Sequence, residues 1–111
     1  MISQRDIILV PFPFSDQSGT KVRPALVLSK DDFNLNSRDI IICGITSNIS
    51  KDFYSVKIEQ KDLEDGRVET SMIKVESLAK IEQSLVIKKI GKLSKAKFDE
   101  VLTKLGSLFK D

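Results

Sequence analysis

The chain has 111 residues, 41% of them hydrophobic and 31% charged, with 18 Lys and Arg against 16 Asp and Glu and no histidine. That length and apolar content suit one folded unit around one core, expected to span residues 1–111, and a net charge of +2 permits an anionic partner without requiring one. The missing histidine removes Ser-His-Asp hydrolases, Cys-His proteases, His-ligated zinc sites and paired-histidine nucleases, and no phosphate-loop or dinucleotide glycine motif occurs.

Five apolar, β-branched runs come first: Asp6–Phe12 (DIILVPF), Pro24–Ser29 (PALVLS), Asp39–Thr46 (DIIICGIT), Tyr54–Ile58 (YSVKI) and Ser71–Val75 (SMIKV). Short β-branched runs separated by polar and glycine segments predict antiparallel strands. Weaker runs at Leu78–Glu82 and Leu85–Ile90 predict two more short strands. The segment Ser15–Lys21 (SDQSGTK) reads as a loop, and Asp65-Gly66 as a tight turn. Cys43, the single cysteine, lies in an apolar run and is expected in the core.

From Ser94, a good N-cap, the period changes. Phe98, Val101, Leu102, Leu105, Leu108 and Phe109 fall at three-and-four spacing, which predicts an amphipathic helix closing the sheet. Gly106 costs that helix about 1 kcal/mol relative to Ala. The expected class is mainly β, a small barrel of twisted antiparallel strands with a C-terminal helix. With no leader-like N-terminus and no apolar run near the ~20 residues of a membrane span, the expected location is the cytoplasm.

Two places carry chemistry. Pro24 keeps Arg23 out of the helical region, so a guanidinium is held in extended geometry at a strand edge, where its planar fork of donors suits phosphate oxygens. Thr46, Ser47 and Asn48 emerge together at the end of the third run, where hydroxyl and amide groups can bond a phosphate or a base. Read as residue types alone, an exposed arginine and an ordinary polar turn remain the plain alternatives.

Three blocks in order, DIILVPFPFSDQSGTKVRPALVLS, DIIICGITSN and SMIKVESLAKIEQSLVIKKIGKLSKAKFDEVLTKL, resemble the MazF/PemK (Kid) family of toxin endoribonucleases along nearly the whole chain. The resemblance implies an SH3-like barrel, a homodimer, a cognate antitoxin protein that occupies the RNA groove, and sequence-specific cleavage of single-stranded RNA. That cleavage would need no metal or other cofactor and would leave 2′,3′-cyclic phosphate and 5′-hydroxyl ends. It puts Arg23 and Thr46 in the catalytic positions, with Glu76 of KVESL as a third. For Glu76 three roles stay open: a base, a group orienting Arg23, or a surface carboxylate paired with Lys74.

The RNA contacts implied are Phe14, Ser15, Asp16, Gln17, Ser18 and Lys21 of the first loop, Ser47 and Asn48 after the third strand, and Lys74. Phe12, Phe14 and Phe33 are the aromatics able to stack bases there, whereas Phe53 and Tyr54 are expected to pack. Many members carry glycine where this chain has Arg5, a position where a positive φ would strain any other residue. The alternatives are an inactive barrel that dimerises and binds an antitoxin peptide, and a toxin like the related gyrase poison that cuts nothing.

Overall fold

A computed structural model describes residues 1–12 and 21–110, apart from the side chain of Phe12. Its strands are β1 (Asp6–Phe12), β2 (Lys21–Val27), β3 (Asp39–Thr46), β4 (Ser55–Ile58), β5 (Leu63–Gly66), β6 (Ser71–Glu82) and β7 (Lys88–Leu93). The helices are α1 (Asp31–Leu35) and α2 (Lys95–Ser107), with 3₁₀ turns at Gln60–Asp62 and Gln83–Leu85. The strands form one sheet in the order β4-β6-β3-β2-β1-β7-β5, every neighbouring pair antiparallel.

Both faces of this sheet are buried, which is why its central runs read as continuous rather than alternating apolar sequence. On β1, Ile7 joins one apolar cluster while Ile8 and Val10 join the other; on β3, Cys43 and Ile45 part from Ile40 and Ile42 in the same way. The first cluster unites Val56 and Ile58 of β4, at one edge of the sheet, with Leu93 of β7, near the other edge. Strands so far apart in the order share a core only because the sheet curls into a half-barrel. Helix α2 closes that cluster with Phe98 and Val101, both buried, and Ser94 caps it by accepting the Lys97 N–H at 3.2 Å. Cys43 is buried as expected, and loss of hydration pushes its thiol up to about 12.

Several boundaries differ from the sequence reading. β2 begins at Lys21 rather than Pro24, because its ladder with β1 runs on to Phe12↔Lys21. The runs Ser71–Val75 and Leu78–Glu82 are one twelve-residue strand, β6, and Val75, Glu76 and Ser77 form a bulge within it: Gly44↔Lys74 is followed directly by Cys43↔Leu78. The last strand is Lys88–Leu93 rather than Leu85–Ile90, since the Gln83 side chain donates to the Asn34 and Ser37 carbonyls and holds a 3₁₀ turn in front of it. Asp65-Gly66 ends a strand that pairs with β7 instead of turning a hairpin.

Of the residues predicted to pack from the C-terminal helix, Leu102 is exposed and Phe109 lies beyond the end of α2 and is exposed as well, so the helix buries a narrower stripe than its sequence offers. Tyr54 packs on the core as expected, whereas Phe53 is 66% exposed and carries the Lys104 ammonium 3.8 Å above its ring.

Candidate active site

The site begins where one ladder stops. β2 and β3 pair through Val27↔Ile42, Leu26↔Cys43 and Ala25↔Gly44. Two further steps of that register would set Arg23 opposite Thr46, but pairing ends at Ala25, beside the one residue of the strand with no N–H to give, Pro24. The strands therefore part with Arg23 on one lip and Thr46 on the other. β1 keeps the Arg23 backbone straight through the pair Val10↔Arg23, and β6 does the same for Thr46 through Thr46↔Met72.

Arg23 and Thr46 together line two hollows. The smaller, of about 50 Å³, is shared with Lys74, Gly44 and Ser77. The larger, of about 310 Å³, is shared with Ser47, Arg67, Val68 and Glu69. An arginine and a hydroxyl thus border the same two hollows, with Lys74 lining the smaller and Arg67 the larger. The Thr46 hydroxyl oxygen accepts the Asn48 N–H at 3.1 Å, which fixes the oxygen and leaves its own proton for an incoming acceptor.

Lys74 is tightly held. Its ammonium donates to Asp52 Oδ2 at 2.7 Å and lies 3.5 Å from Glu76 Oε2. Asp52 is fixed in turn, because its other oxygen accepts the Tyr54 N–H at 3.1 Å and its carbonyl accepts the Ser55 N–H at 3.1 Å. The hydrogen bond from Lys74 is the main cause holding the Asp52 carboxyl below its ordinary range, and the same bond raises the ammonium of Lys74. Lys74 is therefore a permanent positive charge near neutrality rather than a proton donor.

The predicted residues divide clearly. Arg23, Thr46, Ser47 and Lys74 come together around the two hollows. Glu76 lines neither; it stands on the β6 bulge and meets the site through Lys74. Lys21 is exposed on β2 two residues before Arg23, so strand alternation puts both on one face. Asn48 is exposed just after β3, and Phe33 lies on α1. Phe14, Ser15, Asp16, Gln17 and Ser18 lie outside the described residues.

Asp52, Arg67, Glu69 and Ser77 were not singled out in the sequence. Nothing local marks Asp52, which sits 22 residues from Lys74. Arg67 follows a turn-favouring dipeptide, Asp65-Gly66, and no local pattern distinguishes it from an ordinary exposed arginine. Among the described residues, no group of three or more Asp, Glu or Cys side chains is placed to hold a metal ion, and no helix is long and apolar enough to cross a membrane.

Comparison with known proteins agrees with the architecture. The chain is similar to the Mycobacterium tuberculosis toxin MazF-mt6 at 17% identity, with 95% of this chain and 96% of that one aligned and a TM-score of 0.77. It is similar to a mycobacterial endoribonuclease solved in complex with its cognate antitoxin, at 13% identity over 96% and 93% of the two chains, TM-score 0.79. A MazE–MazF complex from Deinococcus radiodurans matches at 22% identity over 96% and 94%, TM-score 0.78. None of the curated protein sequences matches. At these identities the structural likeness establishes the fold, a MazF-like curled sheet with a C-terminal helix. A family model carries the match further, aligning residues 3–109, and on that alignment the chain belongs to the PemK-like, MazF-like toxins of type II toxin–antitoxin systems.

Proposed function

We propose that the chain is a sequence-specific endoribonuclease that cuts single-stranded RNA by internal transesterification, and that a cognate antitoxin restrains it. One observation carries the reading: Arg23 and Thr46 both line the two hollows at the opened end of the β2–β3 ladder. The similar mycobacterial endoribonuclease, solved with its antitoxin, supports both the activity and the partner. A homodimer is part of the same proposal.

In the reaction the RNA's own 2′-oxygen is the nucleophile. The bond from O2′ to phosphorus forms, the bond from phosphorus to O5′ breaks, the 2′-hydroxyl proton leaves to water and O5′ takes one from water. The products are a 2′,3′-cyclic phosphate and a 5′-hydroxyl. Such a step needs no histidine and no protein nucleophile; it needs alignment and stabilisation of the charge that builds on the phosphorane. Arg23 supplies two parallel N–H donors to the equatorial oxygens and Thr46 supplies its hydroxyl. Lys74 adds a fixed positive potential from the smaller hollow, and Glu76 works through Lys74, which it faces at 3.5 Å. Ser47, Asn48 and Lys21 contact flanking RNA, together with Phe14 and Ser15 to Ser18 of the first loop.

The test is digestion of a long mixed-sequence RNA by purified protein in excess EDTA, with both new ends mapped. The expected result is a small set of cuts with 5′-hydroxyl ends, slowed about 10²- to 10³-fold by Arg23→Ala, the usual cost of removing an oxyanion donor. RNA left intact at high protein concentration, with antitoxin binding preserved, would replace this reading with that of a binding module.

A further inference from the structure

The larger hollow does not end at Arg23 and Thr46. Arg67, Val68 and Glu69 also wall it, and the same three residues with Gln60 line a third hollow of about 340 Å³. A wall common to both makes the two spaces neighbours along one path that runs from the β2–β3 opening past the connection between β5 and β6. Each space falls in the size range of a small-ligand pocket.

That wall is fixed by its backbone. The Arg67 N–H donates to the Ile90 carbonyl at 3.1 Å. On either side of Arg67, Gln60 spans the segment with its amide, donating to the Gly66 carbonyl at 2.9 Å and accepting the Val68 N–H at 3.0 Å. Gly66 turns the chain there at φ 82, and a Cβ on it would fall 2.1 Å from the Ile90 carbonyl oxygen. Val68 packs on the core. Arg67 itself is exposed, an arginine on a braced backbone at the border of two hollows. Glu69 on the same wall repels phosphate, which leaves the anion position to Arg67.

We infer that the hollow bordered by Gln60, Arg67 and Glu69 is a second nucleotide subsite, which takes the nucleotide flanking the cut and binds its phosphate through Arg67. The inference rests on the proposed ribonuclease reading and gives the direction in which the RNA leaves the catalytic junction. Arg67 acts here as a binding residue for the flanking nucleotide, so its loss weakens binding without changing the chemical step.

The experiment uses fluorescein-labelled RNA oligonucleotides spanning a mapped cut, made uncleavable by 2′-O-methylation at the attacking position and shortened one nucleotide at a time from each end. Anisotropy titrations are run at several salt concentrations. For the unaltered protein, removing the flanking nucleotide on one side is expected to weaken binding about 5- to 10-fold. Arg67→Ala should bind the full oligonucleotide that much more weakly, should gain nothing from that nucleotide, and should show a slope of log Kd against log salt smaller by about 0.7, the single-strand value for one phosphate contact. Arg67→Lys should restore most of the slope, and the rate at saturating cleavable RNA should stay within about twofold for both variants.

Unchanged affinity and slope in Arg67→Ala, while the unaltered protein binds and cuts, would overturn the subsite and leave the ribonuclease reading standing. A protein that neither binds nor cuts RNA would overturn both. A cleavage rate that collapses at saturation would make Arg67 part of the chemistry rather than of a flanking subsite.

Discussion

Single residues in this chain do two jobs that are easy to confuse. Arg5 has φ 78, the strained left-handed region, yet it is held firmly: its N–H donates to the Val27 carbonyl at 3.0 Å and its carbonyl accepts the Leu93 N–H at 2.9 Å. Its guanidinium bonds Glu64 at 2.7 Å and the Leu93 carbonyl at 2.9 Å. The side chain therefore offsets a backbone cost of about 1–2 kcal/mol. Arg5→Ala keeps the strain and loses the bonds, whereas Arg5→Gly loses both; urea unfolding should find the glycine variant more stable than the alanine variant by about 1 kcal/mol. Equal stabilities would mean that the positive φ carries no cost here.

The Asp52–Lys74 pair gives a second residue-scale test, with a defined sign. Asp52 is held below its ordinary range, so its contribution to stability is present above the unfolded value near pH ~3.9 and is lost as pH falls through the folded value. Lys74 is raised, so its contribution is present below the unfolded value near pH ~10.4 and is lost as pH rises through the folded one. Asp52→Asn keeps an acceptor for the Tyr54 N–H while removing the charge. Its stability deficit should be level between about pH 5 and 9 and should shrink below about pH 4, as followed by thermal unfolding across pH. A deficit that persists undiminished in acid would show that the carboxylate charge is irrelevant.

At the scale of elements, α2 shows how far propensity and packing can be separated. Gly106 lies near its C-terminal end, and a Cβ there meets nothing within 4 Å. Gly106→Ala is expected to stabilise the protein by about 0.5–1 kcal/mol in chemical denaturation. Phe98→Ala removes a fully packed ring and should cost about 3–5 kcal/mol. The boundaries of β1 and β3 and the start of α2 were readable because apolar runs and the Ser94 cap are local signals. Five-residue α1 and four-residue β5 were not, since both are too short for periodicity to register and depend on distant partners, β5 on β7 above all. The unity of β6 was hidden by the polar pair Glu76-Ser77, which only a bulge against β3 accommodates.

For the whole molecule, the site follows from a curled sheet with one ladder left unfinished. Arg23 and Thr46 could be named from sequence because each sits beside a local mark, a proline or a strand end, and because the family pattern joins them. Their meeting depends on the β2–β3 register, and the two cations flanking them depend on a loop aspartate and on a strand that the sequence did not announce. The proposed reaction requires Arg23 and Thr46 to act on the same phosphate. The measurement that reaches this most directly is the single-turnover cleavage rate of one mapped RNA by Arg23→Ala, Thr46→Ala and the double variant. Groups that serve one transition state lose rate together, so the double variant should fall well short of the product of the two single losses. Losses that multiply in full, or a Thr46→Ala variant as fast as the unaltered protein, would contradict a shared phosphate.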